Sequence, residues 1–184
     1  MNETLNSTDR KLLLKLAREA ITSAVKTGKL KIQEVTAAHL LTPQGCFVTI
    51  KKQGALRGCI GNFTSDKPLY LLVQEMAASA ATRDPRFYPM KEEDLLHFDL
   101  EVSVLSPLRK AESPEEVVVG KHGLYLEKNF SRGVLLPQVA TEQGWDRETF
   151  LNQTALKAGL KKEDWKEGAD LYLFTADVFG EKEA

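Results

Sequence analysis

A short glycine-rich strand carries the side chains of this sequence that are best suited to chemistry. The segment GALRGCIGNF, residues 54 to 63, places Arg57 two positions before Cys59. A cysteine becomes a nucleophile when its thiolate is stabilised, and a guanidinium or free backbone N–H groups can do that. Gly58 and Gly61 predict that a ligand or another backbone comes close to this strand. The alternative is that Cys59 is a small buried hydrophobe and that Arg57 holds a carboxylate.

A second polar cluster follows in RDPRF, where Asp84 and Arg86 lie two residues apart. An arginine fork suits a carboxylate or phosphate, and Asp84 could orient it or accept a proton. The alternative is a structural, salt-bridged turn at the end of a helix. The sequence leaves both interpretations open.

Two later segments add further candidates. GKHGLY places Lys121 and His122 between glycines, where a histidine can serve as an acid or a base near neutral pH. A hairpin turn with a solvated imidazole is the alternative. Gln138 lies in the polar-aromatic segment LPQVATEQGW, which could line a cleft or simply pack around its tryptophan.

Composition excludes several classes of function. The 184 residues suit one domain, and 25 Lys and Arg against 26 Asp and Glu give no basic surface for nucleic acid. The first residues do not resemble a signal peptide, and no apolar run approaches the roughly 20 residues that span a bilayer. We therefore expect a cytoplasmic protein without nucleic-acid or membrane partners.

The metal-ligating residue types are sparse. The two cysteines, Cys46 and Cys59, show neither CxxC nor zinc-type spacing, and the three histidines are isolated. We expect reduced thiols and no dedicated metal site. The sequence names no cofactor and no oligomeric state.

Helical spacing predicts three helices that position these segments. The first covers residues 8 to 27, with Gly28 after its end, and the second begins near Ser65 and Pro68. The alanines of the second helix predict close approach of another element, and the prolines of DPRFYP end it. The third runs from Arg147 to Ala158 and is capped by Asp146.

Alternating apolar residues predict the strands, which are HFDLEVSVLS, VVVGKHGLYLEKN, RGVLLPQVA and DLYLFTADVF, together with the hairpin CFVTIKKQGALRGCIGNF. Helices separate only some of these strands. The fold class that follows is α+β, with a mostly antiparallel sheet flanked by helices.

The register of the hairpin decides where Cys59 points. A two-residue turn would place Cys59 opposite Val48, whereas a three-residue turn, 52 to 54, pairs Ile50 with Leu56 and Val48 with Gly58. We favour the second register. It gathers Val48, Ile50, Leu56 and Ile60 on one apolar face and leaves Arg57 and Cys59 on the other.

The ordered series GALRGCIG, RDPRFYPM, DLEVSVLSP, GKHGLYLE, GVLLPQVATEQGW, FLNQTALKAGL and ADVFGE resembles the AMMECR family, the AmmeMemoRadiSam system protein A group. The resemblance covers residues 9 to 181. It implies a single AMMECR-type domain over residues 1 to 184, with a larger and a smaller lobe, interleaved in sequence, around a cleft. It also implies a cytoplasmic role in a bacterial or archaeal pathway with a Memo-like protein and a radical S-adenosylmethionine (SAM) enzyme.

The family has no assigned reaction, so its motif positions carry over as candidates only. Cys59, Asp84 and His122 are the candidate catalytic residues, and the candidate binding residues are Arg57, Gly58, Gly61, Arg86, Lys121 and Gln138. Tyr88 stands where many relatives carry proline, and Ala155 where some carry cysteine. A mechanism that needs that second cysteine is therefore not expected here.

Two functions follow from these residues. In the first, the protein is an enzyme or a catalytic component that uses the LRGCIG face for substrate contact or thiol chemistry. In the second, it is a non-catalytic adaptor that presents the same face to a partner enzyme, with Arg86, Phe87 and Tyr88 as anchors.

Overall fold

The computed structural model describes residues 5–182, which form two compact units. The first unit contains residues 5–105 and 177–182, and the second contains residues 106–176. Each unit holds one four-stranded sheet, and the pairings within both sheets are antiparallel. The predicted α+β class with mostly antiparallel strands is confirmed.

The elements have these bounds in chain order. The helices are α1 (Ser7–Thr27), α2 (Leu69–Thr82), α3 (Pro137–Glu142) and α4 (Arg147–Lys157). The strands are β1 (Cys46–Lys52), β2 (Ala55–Asn62), β3 (Asp99–Leu105), β4 (Arg109–Lys110), β5 (Gly123–Lys128), β6 (Ser131–Leu135), β7 (Asp170–Phe174) and β8 (Ala176–Gly180).

The first unit is a sheet with two helices on one face. Its strand order is β2-β1-β3-β8, so β1 lies inside the sheet and β2 at its edge. Helix α2 packs on β1 and β2, and α1 packs on α2 and β3. Its core is a single apolar cluster, to which Leu13, Ile21, Val48, Ile50 and Leu72 contribute fully buried side chains.

Local signals define α1 at both ends. Asn6 accepts a hydrogen bond from the amide of Asp9, and the Asp9 carboxylate accepts one from the amide of Asn6, which forms a capping box. Gly28 ends the helix in the left-handed conformation, with φ of 70°. The predicted first helix is confirmed.

The second unit is a sheet of order β4-β7-β5-β6 that packs against α3 and α4. Asp146 accepts a hydrogen bond from the Thr149 amide at the start of α4. The side chains of Phe150 and Leu151 are buried in the core of this unit with Leu124. The predicted third helix is confirmed, with its end at Lys157.

Three predicted strands require correction. DLYLFTADVF is interrupted at Thr175, and β7 and β8 belong to different sheets. Both backbone groups of Thr175 bond to Ser106 instead of a neighbouring strand. RGVLLPQVA is a strand only to Leu135, because Pro137 begins α3. Residues 117 to 122 do not form a strand, since the amides of Lys121 and His122 bond to the Val118 carbonyl in a turn.

Candidate functional site

The β1–β2 hairpin has a two-residue turn. Gln53 and Gly54 have positive φ values of 53° and 79°, and Lys52 lies opposite Ala55. Such a turn matches the right-handed twist of the two strands. The predicted three-residue turn is wrong because Gln53 also adopts the left-handed conformation that was assigned to Gly54 alone.

The pairing shifts by one residue beyond the turn. Lys51 lies opposite Leu56, but Ile50 lies opposite Gly58, so Arg57 is the extra residue of a β-bulge. Leu56, which was predicted on the apolar face, is 43% exposed. That assignment is wrong because the bulge lies between Leu56 and the rest of the strand.

Cys59 nevertheless lies on the predicted face of β2. It pairs with Thr49, and Ile60 pairs with Val48. The predicted partner of Val48, Gly58, is wrong by two residues. Since side chains alternate with a period of two, an even displacement leaves the face of Cys59 unchanged.

The side chain of Arg57 extends to the loop that follows α2. Its Nη2 donates to the Tyr88 carbonyl at 2.8 Å and lies 3.8 Å from Oδ2 of Asp94. Its guanidinium carbon is 5.8 Å from the centroid of the Phe87 ring. Nη1 is buried and has no hydrogen-bond partner within residues 5–182. Arg57 thus attaches the bulge to the loop and keeps one buried donor unused.

Asp84 and Arg86 bind the backbone of Cys59 at the edge of the sheet. The Cys59 amide donates to Oδ2 of Asp84 at 2.9 Å, and Nη2 of Arg86 donates to the Cys59 carbonyl at 3.2 Å. The two side chains also bind each other, Nε to Oδ1 at 3.0 Å and Nη2 to Oδ2 at 2.7 Å. We call this ion pair on the edge the Asp84–Arg86 clamp. It satisfies the groups that an edge strand leaves open.

The clamp is ionised at neutral pH. Asp84 is 4% exposed and also accepts the Arg86 amide at 3.1 Å. Hydrogen bonds from the Arg86 guanidinium, which outweigh burial, hold the pKa of Asp84 well below its usual range, and the amides of Cys59 and Arg86 add to the effect. The Asp84 carboxylate raises the pKa of Arg86 in turn.

The thiol of Cys59 is half-buried. Oγ1 of Thr49 donates to its Sγ at 3.3 Å. Thr49 is a residue that the sequence reasoning missed. The strand register was the signal that could have found it, because Thr49 lies directly opposite Cys59.

The two glycines beside Cys59 are approached by the same chain. A Cβ on Gly58 would lie 2.2 Å from the Ala80 carbonyl oxygen, so α2 packs directly on this position. A Cβ on Gly61 would lie 2.4 Å from the Cys46 carbonyl oxygen and from the Phe47 ring. The predicted close approaches exist, and both are internal packing.

The other candidates lie in the second unit. His122 accepts the Val118 amide on Nδ1 at 3.1 Å. Burial, and then the positive charges of Lys121 and Arg109, lower the pKa of His122. In the first turn of α3, Oε1 of Gln138 is buried without a hydrogen-bond partner within the described residues. This unit therefore offers a neutral imidazole and an unused amide acceptor.

One further polar pair escaped the sequence reasoning. Nε2 of His39 lies 2.6 Å from Oδ1 of Asp9, whose side chain is 7% exposed. The spacing of Asn6 and Asp9 indicates their capping box, but no local pattern points to His39. The pair joins the start of α1 to the short 3₁₀ helix Ala38–Leu40.

Within residues 5–182, no group of three or more His, Cys, Asp and Glu side chains has an arrangement that could hold a metal ion. In the same part of the chain, no helix has the length and apolar character needed to cross a membrane.

Comparison with known proteins gives a consistent assignment. The AMMECR1 family model matches residues 14–179. A protein of Methanopyrus kandleri is 40% identical, with 100% of this chain and 93% of that protein covered. A protein of Methanothermobacter thermautotrophicus is 43% identical, with 96% of each covered. The crystal structure of an uncharacterized Pyrococcus horikoshii protein, PH0010, is 41% identical and superposes with a TM-score of 0.83, covering 94% of this chain and 91% of that one.

Proposed function

The chain belongs to the AMMECR1 family, and from that premise we propose that it is a component of a pathway shared with a Memo-like protein and a radical SAM enzyme. In this pathway it uses the LRGCIG face, and Cys59 is the thiol that contacts substrate. The resemblance of its motif series to the AmmeMemoRadiSam system protein A group supports the pathway. The geometry of Cys59 supports the role of the face.

The observation that carries the proposal is the hydrogen bond from Thr49 to the half-buried sulfur of Cys59, at 3.3 Å. A reactive thiol needs both access and stabilisation of negative charge. Here Thr49 supplies a donor, and the Asp84–Arg86 clamp fixes the backbone that carries the thiol. These contacts hold the thiol in one position on the sheet edge.

Within the clamp we assign Asp84 a positioning role. Its oxygens already accept bonds from the amides of Cys59 and Arg86 and from the Arg86 guanidinium, and the lowered pKa opposes proton uptake. Arg86 differs, since its side chain is 54% exposed. Its guanidinium can also contact an anionic group of a substrate.

The second unit offers hydrogen-bonding groups of its own. Because Nδ1 of His122 accepts the Val118 amide, the neutral ring carries its proton on Nε2 and presents a donor there. Oε1 of Gln138 is an unused acceptor, and Lys121 supplies a cation next to His122. We propose that these three residues bind a ligand within the second unit, with His122 also able to transfer a proton.

A complementation experiment tests the proposal. The gene for this chain is deleted in the organism that encodes it, and the deletion strain is complemented with wild type, Cys59→Ser or the matched control Cys46→Ser. The small molecules of each strain are then profiled by mass spectrometry. We expect wild type and Cys46→Ser to restore the profile and Cys59→Ser to fail at equal protein level. Deletion of the radical SAM gene should change the same compounds. Full restoration by Cys59→Ser would remove the thiol from the proposal.

The nucleophile version has a separate test in vitro. Iodoacetamide forms a carbon–sulfur bond with the Cys59 thiolate and releases iodide, while the thiol proton goes to solvent. The pH dependence of this rate in Cys46→Ser gives the thiol pKa. A value at or above that of a free thiol, about 8.5, contradicts a nucleophile and leaves only substrate contact.

An adaptor role is the second candidate, and exposed apolar side chains on β2 and on the segment 88–96 that Arg57 contacts favour it. Tyr88 is 90% exposed, Leu96 is 74% exposed and Leu56 is 43% exposed. Arg57 binds the Tyr88 carbonyl, so the bulge and the loop form one surface. Aromatic and arginine side chains on such surfaces are frequent anchors for protein partners.

Co-elution with the Memo-like protein and the radical SAM enzyme tests this role. We expect Tyr88→Ala to abolish co-elution if the surface binds a partner. Phe130→Ala is the matched control, because Phe130 is fully exposed at 101% but lies in the second unit. Co-elution that survives Tyr88→Ala and Leu96→Ala together would exclude this surface as the adaptor face.

A further inference from the structure

The first unit contains a cavity of about 640 Å³ away from the LRGCIG strand face. Its walls are the end of α1, the end of β2 and the exposed side of α2. Glu75, Ser79 and Thr82 lie at helical positions i, i+4 and i+7 and therefore share one face of α2. The volume is in the range of sites that bind small molecules.

One part of the cavity wall is apolar. Ala24, Met76 and Ala78 contribute nearly buried side chains, and Leu30 packs against the core cluster that contains Met76. An apolar wall beside a few polar groups is typical of sites that recognise small organic molecules. The ligand should therefore have an apolar body.

Three polar side chains of the cavity are unused. Among the described residues, the hydroxyl of Ser79, the amide of Asn62 and the guanidinium of Arg83 make no hydrogen bond, although all three line the cavity. Thr82 differs, because its hydroxyl donates to the Ala78 carbonyl at 2.8 Å. The cavity thus offers a cationic fork, a hydroxyl and an amide in one place.

The ionisable side chains of the wall indicate which ligand charge the cavity favours. Lys67 is neutralised by Glu75, with its Nζ 2.7 and 2.9 Å from the two carboxylate oxygens. Arg83 is the remaining ionisable group among the lining residues. A planar guanidinium without a protein partner binds a carboxylate through two parallel hydrogen bonds.

We propose that this cavity binds a small carboxylic acid with an apolar side chain and one further polar group, the chemistry of an N-acylated amino acid. Arg83 binds the carboxylate, Ser79 or Asn62 binds the polar group, and the apolar wall at Ala24 and Met76 receives the side chain. The cavity shares no residue with the Asp84–Arg86 clamp. The proposal therefore goes beyond the proposed function and does not depend on it.

Titration of the full chain followed by ¹H–¹⁵N NMR tests the proposal. The probe is N-acetyl-L-leucine, compared with its uncharged amide and with inorganic phosphate. We expect saturable shifts at the amides of Ser79 and Arg83 with a Kd of about 1 mM. The uncharged amide and phosphate should each bind at least about tenfold more weakly, since one lacks the charge and the other the apolar body.

Two variants locate the binding. Arg83→Gln should weaken N-acetyl-L-leucine at least about tenfold, whereas Lys15→Gln, an exposed cation on α1 outside the cavity, should leave the Kd unchanged. Thermal unfolding is the folding control. We expect both variants to unfold at the wild-type temperature, because both side chains are exposed. The proposal is overturned if no saturable shift occurs up to 10 mM ligand (about ten times the expected Kd). Equal affinity for phosphate or the uncharged amide, or an unchanged Kd in Arg83→Gln, also overturns it.

Discussion

The two cysteines of the β1–β2 hairpin lie in opposite environments. Cys46, in β1, has no exposed surface, and burial raises the pKa of its thiol to about 12. Cys59, in β2, is half-buried and accepts a hydrogen bond from Thr49. Cys46 lies on the face of β1 that carries Val48 into the core, and Cys59 lies on the other face of the sheet. The face of the strand decides which thiol is available.

Their backbones differ as well. Cys46 pairs with Asn62 on one side and Val104 on the other, because β1 is an interior strand. Cys59 has a strand on one side only, and side chains of the Asp84–Arg86 clamp bind its outer amide and carbonyl. The backbone of the reactive candidate is thus held at an edge by an ion pair, whereas that of the inert thiol is held by the sheet itself.

The largest expected effect is in thiol reactivity. At pH 8 a thiol with a pKa of about 12 is ionised in only about one molecule in 10⁴, and burial blocks access further. We expect iodoacetamide to modify Cys59 in Cys46→Ser at least about 10³ times faster than Cys46 in Cys59→Ser. Both rates are measured on the folded protein by quenching the reaction at successive times and determining the alkylated fraction by mass spectrometry. Similar rates would abolish the contrast between the two environments.

The next effect concerns the inward face of the strand at Gly58. Gly58→Ala should lower the free energy of unfolding by about 3 kcal/mol, because its Cβ would overlap the Ala80 carbonyl. Urea unfolding measures this change. Gly180→Ala is the control, because its Cβ would lie 3.2 Å from the Leu100 carbonyl and should cost less than about 1 kcal/mol. An unchanged free energy of unfolding in Gly58→Ala would mean that α2 can move away from β2.

Loss of the clamp should have a smaller effect that depends on pH. Asp84→Asn should lower the free energy of unfolding by about 2 kcal/mol at pH 7, because the Cys59 amide and Arg86 lose their anionic partner. The pKa of Asp84 is lowered in the folded state, so its contribution is present above the unfolded value of about 4. It is lost as pH falls through the lower folded pKa.

The difference between wild type and Asp84→Asn should therefore be constant at neutral pH and shrink as the pH falls below about 4. Urea unfolding at several pH values measures it. Asp66→Asn is the matched control, since Asp66 is exposed, and it should stay within about 0.5 kcal/mol of wild type. A difference that is constant with pH would show that the carboxylate charge does not stabilise this edge.

The smallest effect should come from the Thr49 hydroxyl, which donates a hydrogen bond to the sulfur of Cys59. Thr49→Val removes the donor to Sγ and should slow alkylation of Cys59 about threefold, with a stability change below about 1 kcal/mol. Thr64→Val, at an exposed loop position, is the control and should leave the rate unchanged. An unchanged rate in Thr49→Val would remove Thr49 from the thiol site.

The elements with local signals are those that could be predicted from the sequence. Helix α1 begins at a capping box and ends at Gly28, and α4 begins after Asp146, so a few neighbouring residues specify each boundary. The same is true of the α+β class, which follows from alternating and helical periods. The face of Cys59 was also predictable, because the alternation of side chains survives an even error in register.

The surroundings of that thiol depend on contacts between segments that are distant along the chain. The bulge at Arg57 depends on how β2 lies against β1 and α2, and Asp84 reaches Cys59 across a separation of 25 residues. Likewise, Thr175 separates β7 from β8 because its backbone bonds to Ser106. Such contacts join segments that are distant along the chain, and local spacing carries no information about which of them meet. For this reason the sequence could identify Cys59 as a candidate but not the ion pair that holds it.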